Sequence, residues 1–360
     1  MTNYDTSNSQ TPPIRVKFMA RSMRTYVSTE RWERQLPGAG TDWGNCRFIF
    51  DIECREYDWL AVYHDIHREK WTLGIEHLAC PREKTILITT EPSTITVYGT
   101  DYLRQYGVVL TSQEPWAISH PNAVFNQPGL IWFYGVPDPG ERMLTYDEIT
   151  AAPPPEKTRK ISTVCSSRMG KLTLHYKRVQ FTDRLKAEIP LLDVFGHGVN
   201  PMSDKAEVLD PYEYHIAIEN HVYPHHLTEK LPDAFLGYTL PFYHGCPNAA
   251  DYFPKESFVP IDFEDYERTR DIIRSTIAND EYKDRLPYII EARRRVLEEH
   301  NLFAVLEREI SRRDSSSAGQ QPYGVIMNRQ TLRFKRPLTG IRSVAEKAIT
   351  KTKHKVGWRR

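Results

Sequence analysis

An α/β fold built as two units is what this 360-residue chain predicts. Three observations carry that expectation. Strand-like runs alternate with connecting segments over residues 1–150, a stiff break follows at 151–157 (AAPPPEK), and a second set of strand-like runs begins beyond it. In the first unit, residues 14–19 (IRVKFM), 47–52 (RFIFDI), 59–63 (WLAVY) and 85–90 (TILITT) are short apolar or β-branched runs bounded by polar stretches. Residues 95–98, 102–106, 108–110 and 130–133 continue the alternation. The prolines at 153–155 cannot continue a helix or a central strand, so a boundary belongs there.

In the second unit, 161–166 and 191–195 are expected strands on either side of a helix over 176–187. Residues 216–218 (IAI) form the next, ended by Glu219 and Asn220, and a polar loop leads to Thr228, Glu229 and Lys230. Leu231, Ala234 and Phe235 then take a helical spacing, and PFYHG at 241–245 is a further strand. From 263 to 313 the apolar spacing is helical throughout, and 312–319 is a polar breaker. The expected division is 1–150, 158–313 with its closing helices, and a C-terminal tail at 320–360.

Composition narrows the class. With 40% hydrophobic and 11% aromatic residues, wholesale disorder is excluded. No apolar run reaches the length of about 18 residues that a membrane span needs, and the opening MTNYDTSNSQTPP has no signal-peptide core, so the cytoplasm is the expected location. Five scattered cysteines without a C-x-x-C pair point to reduced thiols. The formal charge of +1 hides an asymmetry, because residues 329–360 hold eleven Lys/Arg against one acid, Glu346, leaving the rest of the chain at −9. Ile341, Val344, Ala345, Ala348 and Ile349 share one helical face there, ringed by basic groups. Such a helix suits an anionic membrane surface, here the inner face, each basic residue adding about 1 kcal/mol. A solvated tail, or one binding nucleic acid nonspecifically, is the alternative; no specific nucleic-acid partner is expected.

Residues 212–258 (YEYHIAIENHVYPHHLTEKLPDAFLGYTLPFYHGCPNAADYFPKESF) carry the chemistry. Lys230 is a point charge for phosphate oxygens beside a helix start, and Glu229 can accept hydrogen bonds from ribose hydroxyls. The pieces YEYHIAIEN, LTEK, PFYHG and FPKESFV resemble, in order and spacing, the signature of the family 10 glycosyltransferases, the alpha-1,3/4-fucosyltransferases of bacterial type. STVCSS at 162–167 followed by YKRVQFTDRL resembles an upstream block of that family, with Arg178 at its phosphate-binding arginine, and GHG at 196–198 resembles its glycine-bearing loop. The resemblance implies a GT-B-like fold, two Rossmann-like domains facing a cleft, with the acceptor on the first and the nucleotide sugar on the second. Ser166, Gly196, Asn220 and the Glu229-Lys230 pair all fall at or beyond expected strand ends, where a nucleotide belongs in such a sheet.

It further implies inverting transfer of L-fucose from GDP-β-L-fucose to a hydroxyl of a glycan acceptor. The alternatives are a related GDP-sugar used in surface polysaccharide synthesis, or a noncatalytic nucleotide-sugar or glycan-binding protein. Such a transfer needs a base for the acceptor hydroxyl and cations for the departing diphosphate. Lys230 and the planar fork of Arg178 suit the second task, with Asn220 fixing the loop or touching the phosphates and Glu219 holding the loop's backbone. Glu91, directly after the 85–90 run in ITTEPST, resembles the family's glutamate and is the expected base, with Asp51, Glu53 and Asp65 in reserve. His226 stands where a donor-contacting tyrosine is common and could bond phosphate or sugar, especially if protonated. His221 and His225 have the i, i+4 spacing of a metal pair, but Pro224 lies between them and no Asp-x-Asp motif ends a strand. Catalysis is expected to require no metal or other cofactor, with stimulation by a divalent cation left open. Trp43, Trp116 and Trp132 are either sugar platforms or core.

Overall fold

The computed structural model describes residues 12–21, 23, 29–69, 72–165, 174–314 and 324–356. Its strands are β1 (Ile14–Ala20), β2 (Asp42–Trp43), β3 (Cys46–Ile49), β4 (Trp59–Tyr63), β5 (Ile75–His77), β6 (Thr85–Ile88), β7 (Val108–Thr111), β8 (Ala123–Phe125), β9 (Arg159–Val164), β10 (Leu192–Phe195), β11 (Tyr212–Ile218), β12 (Leu240–His244), β13 (Val259–Pro260) and β14 (Val325–Met327). The helices are α1 (Glu30–Glu33), α2 (Thr100–Leu103), α3 (Tyr146–Ala151), α4 (Leu174–Glu188), α5 (Lys230–Leu236), α6 (Tyr266–Ala278), α7 (Glu281–Glu298), α8 (Leu302–Asp314), α9 (Arg329–Lys335) and α10 (Pro337–Lys355).

Two parallel sheets result, as the α/β reading requires. The first has the order β2-β3-β1-β4-β6-β7-β8, parallel except where β2 meets β3. The second is parallel throughout, β10-β9-β11-β12-β13. Strands β4, β6 and β7 are buried on both faces, which explains why they are continuous apolar runs with no alternation. In the second sheet the order reverses between β9 and β11, and a crevice for ligands opens beyond the carboxyl ends of strands at such a point.

Several expected strands are shorter or absent. Residues 95–98 and 102–106 are a turn and helix α2, and Tyr98, Tyr102 and Tyr106 are buried in one cluster on the first sheet. Apolar aromatics spaced by four residues fit a helix face as well as successive strands. Residues 130–133 run extended with only an isolated bridge from Leu130 to Asn301.

The cores also cut the chain differently from 1–150 and 158–313. Leu130, Trp132, Tyr134 and Ile149 pack into the core of the second sheet. Helix α8 leaves that unit and covers one face of the first sheet, where Phe303 meets Phe18, Phe48 and Phe50 and Asp314 accepts from Trp59 Nε1 at 2.8 Å. The tail covers the opposite face, with Ile326 and Leu332 buried beside Leu60, Val62 and Leu87. Periodicity fixes that these segments are amphipathic, not which sheet receives them.

Candidate functional site

The carboxyl ends of the two sheets face one another across a cleft of about 500 Å³, within the usual size of a small-molecule site. Its first wall is Tyr63 at the end of β4, Thr89 to Pro92 beyond β6 and Ser112 beyond β7. Its second wall is Glu219 and Asn220 beyond β11, then His221, His226 and the run from Leu227 to Lys230.

Burial of Glu219 organises the second wall. This carboxylate is fully buried and accepts from the Thr228 backbone N–H at 3.0 Å and from the Thr228 hydroxyl at 2.6 Å, so it closes the polar loop on itself. A Cβ on Gly245 would lie 2.5 Å from Glu219 Cγ, so the glycine of PFYHG is what lets the carboxylate pass. Lys230 Nζ then stands 3.2 Å from Glu219 and 3.1 Å from Glu229. Burial alone would depress this ammonium, and the two carboxylates outweigh it, leaving its pKa raised. Burial likewise opposes ionisation of Glu229, yet Lys230 and Lys205 pull its pKa down to about 2. The Lys230 cation is therefore fixed and permanent. Helix α5 is only seven residues long, so a phosphate here would rest on side chains more than on the helix terminus.

Arg178, on α4, stands behind Asn220 and donates Nη1 to its side-chain oxygen at 2.6 Å, while Nη2 reaches the Val164 carbonyl at 3.4 Å. The guanidinium thus spans the switch point between β9 and β11. Its Nε is buried with no hydrogen-bond partner among the described residues, and Arg178 is not among the residues that line the cleft. Gly196 and Gly198 turn the chain after β10 at φ 135° and 82°, values an L side chain resists. Ser166 lies outside the described residues.

Glu91 sits on the opposite wall, exposed, one turn past β6. Burial chiefly raises the pKa of Tyr63, but the charges of Glu91 and Glu229 both add to the rise, so the two carboxylates act on one hydroxyl from the two walls. The reserve carboxylates are elsewhere. Asp65 is committed to Arg329 at 3.1 Å and to the Tyr102 hydroxyl at 2.8 Å, and neither Asp51 nor Glu53 lines the cleft.

His226 lines the cleft but is buried, with Nδ1 3.3 Å from the Ser112 hydroxyl. Burial lowers its pKa, so the neutral ring is favoured over the protonated one. His221 also reaches across, 3.3 Å from the Thr94 hydroxyl, whereas His225 turns away to the Tyr252 hydroxyl at 2.6 Å. The i, i+4 pair therefore diverges, and no cluster of three or more metal-ligating side chains occurs among the described residues. Among the described residues no tryptophan lines the cleft: Trp132 is core, Trp43 packs on Tyr146 and Trp116 on His354. Tyr63 and Phe133 provide its aromatic surface. Phe133 gave no signal in sequence, because an aromatic in an extended apolar run reads the same whether it faces core or cleft.

Residues 154–284, which hold the whole second wall beyond β11, match the family described as Glycosyltransferase family 10 (fucosyltransferase) C-term. This stretch is similar to glycosyltransferase family 10. The chain is 34% identical over 74 residues to the alpha-(1,3)-fucosyltransferase of Helicobacter pylori, 20% of this chain and 16% of that protein. It is 30% identical over 103 residues to the human 4-galactosyl-N-acetylglucosaminide 3-alpha-L-fucosyltransferase, 27% of this chain and 28% of the relative. The matches thus span under a third of either relative. Among solved structures, a crystal structure of an alpha1,3-fucosyltransferase superposes with a TM-score of 0.47 at 15% identity, covering 79% of this chain and 84% of the other. One of an alpha1,3-fucosyltransferase with GDP gives 0.45 at 15% identity, covering 84% and 95%.

Proposed function

We propose that this protein transfers L-fucose from GDP-β-L-fucose to a hydroxyl of a glycan acceptor, inverting the anomeric centre to give an α linkage. The observation that carries the reading is the placement of Lys230 and Glu91 on opposite walls of one cleft, with the cationic wall inside the family 10 stretch. In this mechanism Glu91 takes the proton of the acceptor hydroxyl as its oxygen attacks the sugar's anomeric carbon from the face opposite the diphosphate. The bond from that carbon to the phosphate oxygen breaks, and Lys230 and Arg178 meet the charge that develops on the departing GDP. Glu229 holds the ribose, Asn220 aligns Arg178, and neutral His226 offers a hydrogen bond to the donor. With two fixed cations on the leaving group, the reaction needs no metal: turnover should survive EDTA, and loss of activity restored by manganese would overturn that part.

The tail supports a second element of the reading. Phe334, Leu338, Ile341 and Val344 are 76%, 81%, 68% and 71% exposed, and Arg333, Lys335, Arg336, Lys347 and Lys351 lie among them. That chemistry suits the anionic inner face of a membrane, on which the enzyme would sit peripherally. No helix among the described residues is long and apolar enough to cross one.

Thermal unfolding in the presence of nucleotide sugars tests the donor assignment, because a ligand that binds only the folded state raises the melting temperature. GDP-fucose should give the largest shift. A larger shift with UDP-sugars would count against the reading.

A further inference from the structure

The turn that bears Glu91 is gripped from three sides. From beyond β7, the Gln113 amide, buried at 3% exposure, donates one hydrogen to the Glu91 carbonyl at 2.5 Å and the other to the Thr96 carbonyl at 2.9 Å, clasping both ends of the turn. From the donor wall, His221 meets Thr94. The third grip comes from more than two hundred residues away. Ser93, buried beside Glu91, lies 2.5 Å from Glu114 Oε2 and 2.7 Å from Nε2 of His354, near the end of α10. A carboxylate can only accept, so the single Ser93 proton goes to Glu114 and His354 must donate from Nε2. His354 is held in turn against the Trp116 ring, with centroids 5.1 Å apart, and Lys353 lies 4.9 Å over the same ring.

The helix is built to deliver this contact. Ser343, Glu346, Thr350 and His354 fall at intervals of three and four residues and form a polar stripe turned toward the first sheet. Ser343 and Thr350 are buried, Glu346 accepts from the Thr100 backbone N–H at 3.2 Å, and Arg342 pairs with Asp101 at 2.8 Å. The apolar side of the same helix faces solvent.

We propose that His354 is a positioning residue for Glu91, and that the tail helix is a strut of the acceptor-side wall. The proposal rests on the reading of Glu91 as the base. His354 fixes Ser93, Ser93 and Gln113 fix the turn, and the turn aims the carboxylate into the cleft. Loss of His354 frees the turn without touching the donor wall, so it lowers kcat and spares donor binding.

Steady-state kinetics and hydrogen exchange of the full chain, comparing His354→Ala with His354→Gln, test this. His354→Ala should lower kcat by about tenfold or more, the effect of a small misplacement of a reacting group, with the KM for GDP-fucose changed by less than about twofold. His354→Gln, whose amide can still donate to Ser93, should recover most of the loss. Exchange should quicken over residues 89–96 in the alanine variant alone. Unchanged kcat in His354→Ala overturns the proposal, as does faster exchange spread over the whole first sheet. Should the parent protein transfer no sugar, the proposed function falls on its own. Exchange then still decides the strut: quickening confined to 89–96 supports it and unchanged exchange overturns it.

Discussion

Lys230 shares one ammonium between a fully buried carboxylate, Glu219, and the half-buried Glu229. The two carboxylates have different consequences. Removing Lys230 would leave the buried Glu219 charge with its Thr228 hydrogen bonds but no cation, and breaking a buried pair in this way costs about 3–5 kcal/mol, so Lys230→Ala should lose stability as well as donor binding. Glu229 gives a cleaner signature. Its folded pKa of about 2 lies below the value of about 4.3 for an unfolded glutamate, so its ionised form adds stability that is complete above the unfolded value and lost as the pH falls from there toward 2. Urea midpoints measured across that window should decline less steeply in Glu229→Gln than in the parent. Arg178→Lys should keep the fold and weaken GDP binding, because the ammonium cannot reproduce a fork that engages the Asn220 side chain and the Val164 carbonyl together and so aligns the loop; a lost hydrogen bond to a charged group is worth about 1.5–3 kcal/mol, and titration calorimetry would register it. The charged residues of the second wall were legible because their types and order are constrained by chemistry: Glu229 and Lys230 line the cleft, with Glu219 and Arg178 bonded to the loop beside them. Gln113, Tyr63 and Phe133 were not, since a buried amide or a ring at a strand end has the same local sequence whether it builds a site or a core.

Helix α8 shows the same limit one level up. Its apolar spacing predicts a helix, and a helix forms, but its partner is a sheet laid down nearly three hundred residues earlier. Phe303 contacts Phe18, Phe48 and Phe50 with ring centroids 5.5, 4.8 and 5.8 Å apart, so truncation leaves a cavity among three rings. Phe303→Ala should cost about 3–5 kcal/mol, seen as a lower urea midpoint, and the loss should fall on the first sheet. A protein with independent units at 1–150 and 158–313 would instead tolerate removal of the helix from the first sheet. The strands were easier to find because β4, β6 and β7 are buried on both faces, and a doubly buried strand is a continuous apolar run whatever its neighbours.

For the molecule as a whole, the chain after residue 301 acts as a clasp on the first sheet: α8 covers one face, β14 and α9 the other, and α10 reaches the lip of the cleft. The excess of positive charge in the tail was visible in sequence. Its seating was not, because the stripe that docks is polar and the stripe left outside is apolar, the reverse of an ordinary surface helix. That inversion suits a second surface. Vesicles containing phosphatidylserine should sediment the protein at low salt, neutral vesicles should not, and Leu338→Glu with Ile341→Glu should abolish the binding while turnover on a soluble acceptor is kept.

The central claim is that one cleft holds a GDP-sugar on its cationic wall and a base on the other. Measuring turnover and GDP affinity together in Glu91→Gln tests it most directly. The expected result is a fall in kcat of about 10²–10⁴-fold with GDP affinity preserved. Turnover equal to that of the parent protein would contradict it.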